Sequence, residues 1–234
     1  MDKLQEMEQE KNVLRWGGLA GMLGGILFIL TFVVAIAGPV GMEDPADLAE
    51  FVTRFPDIRA ARILENGIYL MALILEVTLF LALYRALRKT SLVPALFGSV
   101  LGIVGLTAMM VSATPHVAHA PLSDLYQTAG VTSADQATLA LMWQAIWGMI
   151  DVMTYVGFFV VASGLTVLGA GMIGASSFGK GYGGLTLVLG VGGLVAALLQ
   201  IFDPASMIGI GSYFAFIIFY FVVGWKLFSL SRTS

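Results

Sequence analysis

Residues 63–84 read ILENGIYLMALILEVTLFLALY, and the only charged side chains in the run are Glu65 and Glu76. A helix needs about 20 mostly apolar residues to cross a bilayer, and this run has that length. A helix apolar on every side is surrounded either by protein or by lipid. Composition decides between them: of 234 residues, 58% are hydrophobic and 12% charged, against about 25% charged in an ordinary soluble domain. A soluble chain of this length has no interior large enough for that much apolar surface. The excess is expected to face lipid.

Outward from this run, five more windows qualify: Leu14–Ala37, Leu92–Ala113, a span at about 140–170 within the apolar stretch Ala137–Ile173, Tyr182–Ile201 and Met207–Trp225. The reading is all-α: one membrane domain of six transmembrane helices. The fourth stretch is too long for one perpendicular crossing, so it either tilts or projects its first turns beyond the lipid. The start, MDKLQEMEQEKN, is acidic and polar rather than a signal-peptide n-region, so the first apolar run is expected to be a retained span.

Lysine and arginine set the expected orientation. One set of connecting segments holds Lys3, Lys11, Arg15, Arg85, Arg88, Lys89, Lys180, Lys226 and Arg232; the other holds only Arg54, Arg59 and Arg62. This bias puts both termini in the cytoplasm, which agrees with the even number of spans, since that requires the termini to share a side. The opposite side is acidic, with Glu43, Asp44, Asp47, Glu50, Asp57, Asp124, Asp135 and Asp203. That acidity reads either as loop solubility or as attraction for a cationic ligand or partner. No basic patch suggests nucleic acid. The absence of cysteine excludes disulfides, thiolate metal sites and cysteine nucleophiles.

Between the first two spans, GMEDPADLAEFVTRF (41–55) predicts a short outer interfacial helix, with Asp44 as cap, Pro45 in the first turn, and Leu48, Phe51, Val52 and Phe55 as an apolar stripe. It either lies in the membrane interface or covers the bundle as a lid. Pro115 to Asp135 reads as a second sizeable outer loop, and Ser133 with Gln136 as a capping box opening the fourth helix. Asp203-Pro204 repeats the cap-plus-proline signal before the sixth. Gly17, Gly21 and Gly25 in the first span, Gly98 and Gly102 in the third, and Gly179, Gly183, Gly190, Gly192 and Gly193 around the fifth mark close helix packing. The same glycines fit either intramolecular seams or a homodimer seam.

Ionisable residues within spans are costly and are candidate functional groups. Arg62, Glu65, Asn66, Tyr69 and Glu76 share one stripe of the second helix. Arg62 can pair with Glu65 or Asn66 one turn on. Glu76 lies near the midplane with no partner on its own helix, and a lone carboxyl there is expected in its neutral form. On the fourth helix Gln144, Trp147, Asp151 and Tyr155 recur at three- or four-residue spacing, and Gln200 ends the fifth. These groups predict a polar cavity enclosed by spans two to five, opening outward. The alternative is a hydrogen-bonded network that only holds the helices together. His116 and His119 have the spacing of two ligands sharing a metal on one helical turn, with Asp124, Glu65 or Asp151 as third ligand; the plainer reading is interfacial histidines at a helix end. No other cofactor is predicted. Phosphate-loop, HExxH and GxSxG motifs are absent, and no span holds a lysine for a retinal Schiff base.

RWGGLAGMLGGILFIL (15–30), the amphipathic outer segment and ARILENGIYLMALILEVTLFLALYRAL (61–87) together resemble an uncharacterised prokaryotic polytopic membrane family, domain of unknown function 4386. The order of elements matches over nearly the whole chain. The resemblance implies a compact bundle in a bacterial or archaeal inner membrane, and supplies no activity and no catalytic residues.

Three functional classes follow. The preferred one is a non-enzymatic membrane protein that binds a small apolar or amphipathic molecule, or a partner subunit, inside the bundle; Trp143, Trp147, Tyr69 and Tyr155 suit such a pocket. It leaves room for a homo-oligomer or a larger membrane complex. The second is a proton-coupled carrier using Glu76 and Asp151. The third is an intramembrane metal-dependent hydrolase using His116, His119 and a carboxylate with a bound water.

Overall fold

A computed structural model describes residues 3–37, 48–203, 208 and 210–233. Within them the chain is helical: α1 (Lys3–Ala37), α2 (Leu48–Leu87), α3 (Leu92–Ala113), a 3-10 turn (Thr114–Ala118), α4 (His119–Tyr126), α5 (Ser133–Ile173), α6 (Gly179–Phe202) and α7 (Ile210–Thr233). All but α4 and the 3-10 turn are long and apolar enough to cross a membrane, making six spans. Large apolar side chains stand exposed on the outer surface of these helices, among them Leu64, Phe97, Val104, Val188 and Phe214. This is a multi-pass membrane bundle.

The spans close into a ring in chain order. α1 packs on α2, α2 on α3, α3 on α5, α5 on α6, α6 on α7, and α7 back on α1. Glycines set how closely they approach. A Cβ on Gly164 of α5 would stand 2.6 Å from the Gly98 carbonyl and 2.8 Å from the Gly102 nitrogen of α3. One on Gly105 would stand 2.6 Å from the Val161 nitrogen, and one on Gly183 of α6 2.5 Å from the Ile173 nitrogen. Gly17 and Gly21 of α1 meet Ala82 and Leu79 of α2, whereas Gly18 and Gly25 meet α7. The seams named here are therefore filled within the chain. Small residues matter because lipid gives helices no hydrophobic reason to associate, leaving dispersion between closely packed backbones.

Three features differ from the sequence reading. From Leu48 on, the amphipathic segment and the second span are one helix, Leu48–Leu87, about 60 Å long at 1.5 Å per residue. It runs unbroken through Pro56. Proline removes the N–H that would bond the carbonyl four residues back, and that orphan carbonyl, Val52 O, instead accepts from Ser123 Oγ of α4 at 2.8 Å. The Pro115–Asp135 stretch is largely the 3-10 turn and α4 rather than a loop. The cap of α5 is Thr132 with Asp135, one residue before the expected pair: Thr132 is extended, its hydroxyl accepts from Asp135 N at 3.2 Å, and Asp135 Oδ2 accepts from Thr132 N at 3.2 Å. Gln136 instead donates to the Tyr126 carbonyl. The expectations at Asp44, Pro45, Pro204 and Met207 lie outside the described residues.

The first turns of α2 and α5 project together past the shorter spans and are bridged by α4. Phe51, Val52, Phe55, Ile58, Leu122 and Trp143 form their own buried cluster there. The stripe on α2 thus covers the bundle rather than lying in lipid. At the opposite, basic end, Glu10 of α1 pairs with Arg85 at 2.8 Å and Lys89 at 2.9 Å beside the α2–α3 turn.

The seams predict a sharp contrast between glycines. Gly164→Leu places a side chain into the α3 backbone and is expected to cost more than the roughly 1–3 kcal/mol of ordinary core overpacking. Gly184→Ala, with nothing within 4 Å of the added carbon, is expected to leave stability unchanged. Thermal unfolding and size-exclusion profiles of the two variants in detergent test this.

Candidate functional site

The ring is solid toward the basic end, where Leu83, Leu87, Ala95, Leu165, Leu168, Met172 and Leu227 are buried. Toward the capped end it opens into a cavity of about 330 Å³. About two turns of α2 build one wall. Arg62, Glu65, Asn66 and Tyr69 recur at three- or four-residue spacing, which keeps them on one face. Arg62 Nη1 donates to Glu65 Oε2 at 2.9 Å, and Asn66 Nδ2 donates to the Arg62 carbonyl at 2.9 Å. The Arg62 guanidinium also stands over the Trp147 ring, 5.6 Å from its centroid. Only about a tenth of either charged side chain is exposed (11% and 12%), so the pair and the ring hold each other in place.

The facing wall is α5, which presents Trp147, Ile150, Asp151, Thr154 and Tyr155. Hydroxyls tie the walls together. Thr154 Oγ1 lies 3.0 Å from Ser112 Oγ of α3 and 2.8 Å from the Ile150 carbonyl, and Ser112 Oγ lies 2.7 Å from the Met109 carbonyl. Gln200 of α6 closes one side, and its Oε1 is buried with no hydrogen-bond partner among the described residues.

Eight of the expected pocket residues meet here: Arg62, Glu65, Asn66 and Tyr69 on α2; Trp147, Asp151 and Tyr155 on α5; and Gln200 on α6. Two do not. Gln144 is exposed. The inward stripe of α5 at that level runs through Trp143, Trp147, Ile150 and Thr154, which turns Gln144 roughly a quarter of a circle away at 100° per residue. Glu76 is fully buried but lies three turns deeper than Glu65, against Gly24 of α1, and neither of its oxygens has a hydrogen-bond partner among the described residues. The sequence reading missed Phe28, Thr31 and Phe32 of α1 and Tyr213 of α7. Tyr213 packs edge-on to Phe32, ring centroids 4.7 Å apart, and to Phe158 at 4.3 Å. Aromatic residues in otherwise apolar spans were the one available signal.

Above the cavity sits the cap. His119, at the start of α4, is buried with its ring stacked on Trp143, centroids 4.1 Å apart and 22° between planes, and edge-on to Phe55 at 6.2 Å. Burial is the main cause that pushes its imidazole down from 6.5 to about 4, and the Arg62 charge adds to it. The ring therefore acts as a packed aromatic. The His116 side chain lies outside the described set. Of the proposed third ligands, Asp124 is paired with Arg59 and Glu65 with Arg62. Among the described residues no three histidine or carboxylate groups are gathered as a metal site.

This placement of His119 makes the cap sensitive to acid. The unfolded chain takes up the His119 proton near pH 6.5 and the folded chain only near 4, so stability is unaffected above 6.5, falls as pH drops from 6.5 toward 4, and levels off below. His119→Phe keeps an aromatic ring and removes the titration. The expected result is a smaller drop in unfolding temperature between pH 7 and 5 for the variant than for the wild type; equal slopes would refute the assignment. Comparison with protein-family models, curated proteins and solved structures found no match.

Proposed function

We propose that this chain binds a small apolar or amphipathic molecule within its helix bundle, as a member of the prokaryotic membrane family it resembles. What supports the reading is the cavity itself. About 330 Å³ falls at the small end of the range typical of ligand sites, and such sites combine mostly apolar walls with a few convergent polar groups. A bundle held together only by a polar network has no use for that space. Carriage coupled to protons is less well supported, because Glu76 lies apart from the cavity beside Gly24, one turn along α1 from the buried Phe28. The cavity and its acidic cap face the outside of the inner membrane in this reading, with both termini and the Arg85–Lys89 turn in the cytoplasm.

Native mass spectrometry of the purified full chain is expected to detect a bound small molecule. Ala35→Trp, which places an indole at the cavity wall, is expected to lower its occupancy about tenfold or more, the effect of losing 1.4 kcal/mol of binding. A wild-type chain that carries no such species and takes up none from a panel of amphipathic compounds would end the proposal. The chain's lack of cysteine makes orientation directly measurable. Thr128→Cys, at the capped end, should react with a membrane-impermeant maleimide on intact cells, whereas Ser176→Cys, between α5 and α6, should react only after permeabilisation. The reverse pattern would invert the assignment.

A further inference from the structure

At the end of the bundle away from the cavity, charge is out of balance. Arg85 near the end of α2, and Arg88 and Lys89 in the turn after it, stand around one carboxylate, Glu10 of α1, at 2.8, 3.8 and 2.9 Å. Among the described residues Glu10 is the only acid paired with any of the three. Two of the three positive charges therefore stay unmatched. The fit is loosest at Arg88. Its separation from Glu10 exceeds hydrogen-bonding distance, and its Nε is buried without a hydrogen-bond partner among the described residues.

Next to this cluster the α1–α2 surface is grooved. Asn12, Val13 and Trp16 of α1 and Thr78, Leu81 and Ala82 of α2 line the groove, and the atoms they present to it are apolar. Helical register ties groove to cluster. Residues 78, 81, 82 and 85 recur at three- or four-residue spacing, so Arg85 shares the groove's face of α2. It lies about 5–10 Å further along the axis at 1.5 Å per residue. On α1, Glu10 precedes Asn12 by about half a turn. Trp16 leaves most of its indole exposed (65%) beside the groove, as an amphipathic ring does near a membrane surface.

We propose that this groove seats an anionic phospholipid, with an acyl chain along Val13, Trp16 and Leu81 and the phosphodiester against Arg85, Arg88 and Lys89. Arginine offers phosphate oxygens a fork of N–H donors, and lysine adds a point charge. Basic pockets beside membrane spans take lipid head groups of this kind. The order in depth fits, with apolar groove inside the span and excess charge at its end. A soluble anion would use the cations and leave the groove bare. A second copy packed here would bring its own cluster to the same depth, where the two excess charges repel. A zwitterionic lipid would bring its own ammonium toward the excess cations. The site is remote from the cavity, and the inference does not depend on the ligand-binding reading.

Native mass spectrometry of the delipidated full chain in a non-ionic detergent compares three probes: dioleoyl phosphatidylglycerol, dioleoyl phosphatidylcholine with the same chains, and glycerophosphoglycerol, the anionic head without chains. The anionic lipid is expected to bind about tenfold or more tighter than the zwitterionic one, and the bare head far more weakly than either. Arg88→Gln with Lys89→Gln should remove most of that preference while leaving the zwitterionic lipid within about twofold. Glu10→Gln removes the one paired acid and should raise affinity for the anionic lipid about threefold or more, a gain that a misfolded variant would not produce. Ala35→Trp, at the cavity, should leave it unchanged. Equal affinity for the two lipids, a preference that survives the double substitution, or no gain in Glu10→Gln overturns the inference. So does loss in Ala35→Trp, which would move the lipid to the cavity, or a bare head that binds as tightly as the lipid, which would make this a free-anion site. In this cysteine-free chain, extensive disulfide cross-linking of Val13→Cys in native membranes would put a second copy in the groove and overturn it as well. None of these outcomes touches the cavity reading, whose test is a different bound species.

Discussion

The architecture depends on how closely α5 approaches its two neighbours. Where Gly98, Gly102 and Gly105 face Gly157, Val161 and Gly164, the backbones of α3 and α5 come close enough that an added methyl group would collide with main-chain atoms. Lipid supplies no competing hydrophobic force, so such contact is what makes the helices associate at all. The seam ends at the Gly105–Gly157 level. Beyond it the facing residues are Ser112 and Thr154, which bridge by their hydroxyls, and then Trp147 of α5 packs edge-on to Phe51 of α2 at the cavity wall. The cavity begins where the glycines stop.

The same geometry explains why two helices are longer than a bilayer requires. α2 and α5 carry their first turns past the other spans and must cover the apolar faces of those turns. They do so against each other and α4, with Phe51, Phe55, Trp143 and Leu122 as the buried core of the cap. Pro56 would normally leave a carbonyl unsatisfied in that packed region, and the Ser123 hydroxyl takes the place of the missing N–H. Cap and cavity are consequently one structure: Arg62 lies under the cap, bonds Glu65 in the cavity wall, and stacks on a tryptophan that packs edge-on to Phe51.

Several parts of the site were legible in the chain itself. Three- and four-residue spacing puts Arg62, Glu65, Asn66 and Tyr69 on one face of any helix, and the cost of an unpaired charge in hydrocarbon turns that face inward. Other parts were not. Gln144 and Trp143 are adjacent, and which of them points inward depends on what packs against α5 at that height, which is the cap. Phe28, Phe32 and Tyr213 carry no charge to betray their direction, and lipid and protein interior suit them equally. Glu76 shares the stripe of Glu65, yet the cavity ends before reaching it. The cap box shifted by one residue because Thr132 and Ser133 are equally able to cap, and only the backbone conformation distinguishes them.

Sequence alone determined the number of spans, the inward direction of the buried charges and the positions where helices can touch. Each follows from a local rule: span length from bilayer thickness, facing from helical period, close contact from the absence of a side chain. The tertiary structure decided which glycine meets which backbone, that the outer amphipathic segment closes over the bundle, and that six helices rather than four line the cavity. Those outcomes depend on pairings between residues far apart in the chain. In hydrocarbon many pairings are nearly equal in apolar burial, and only steric fit separates them.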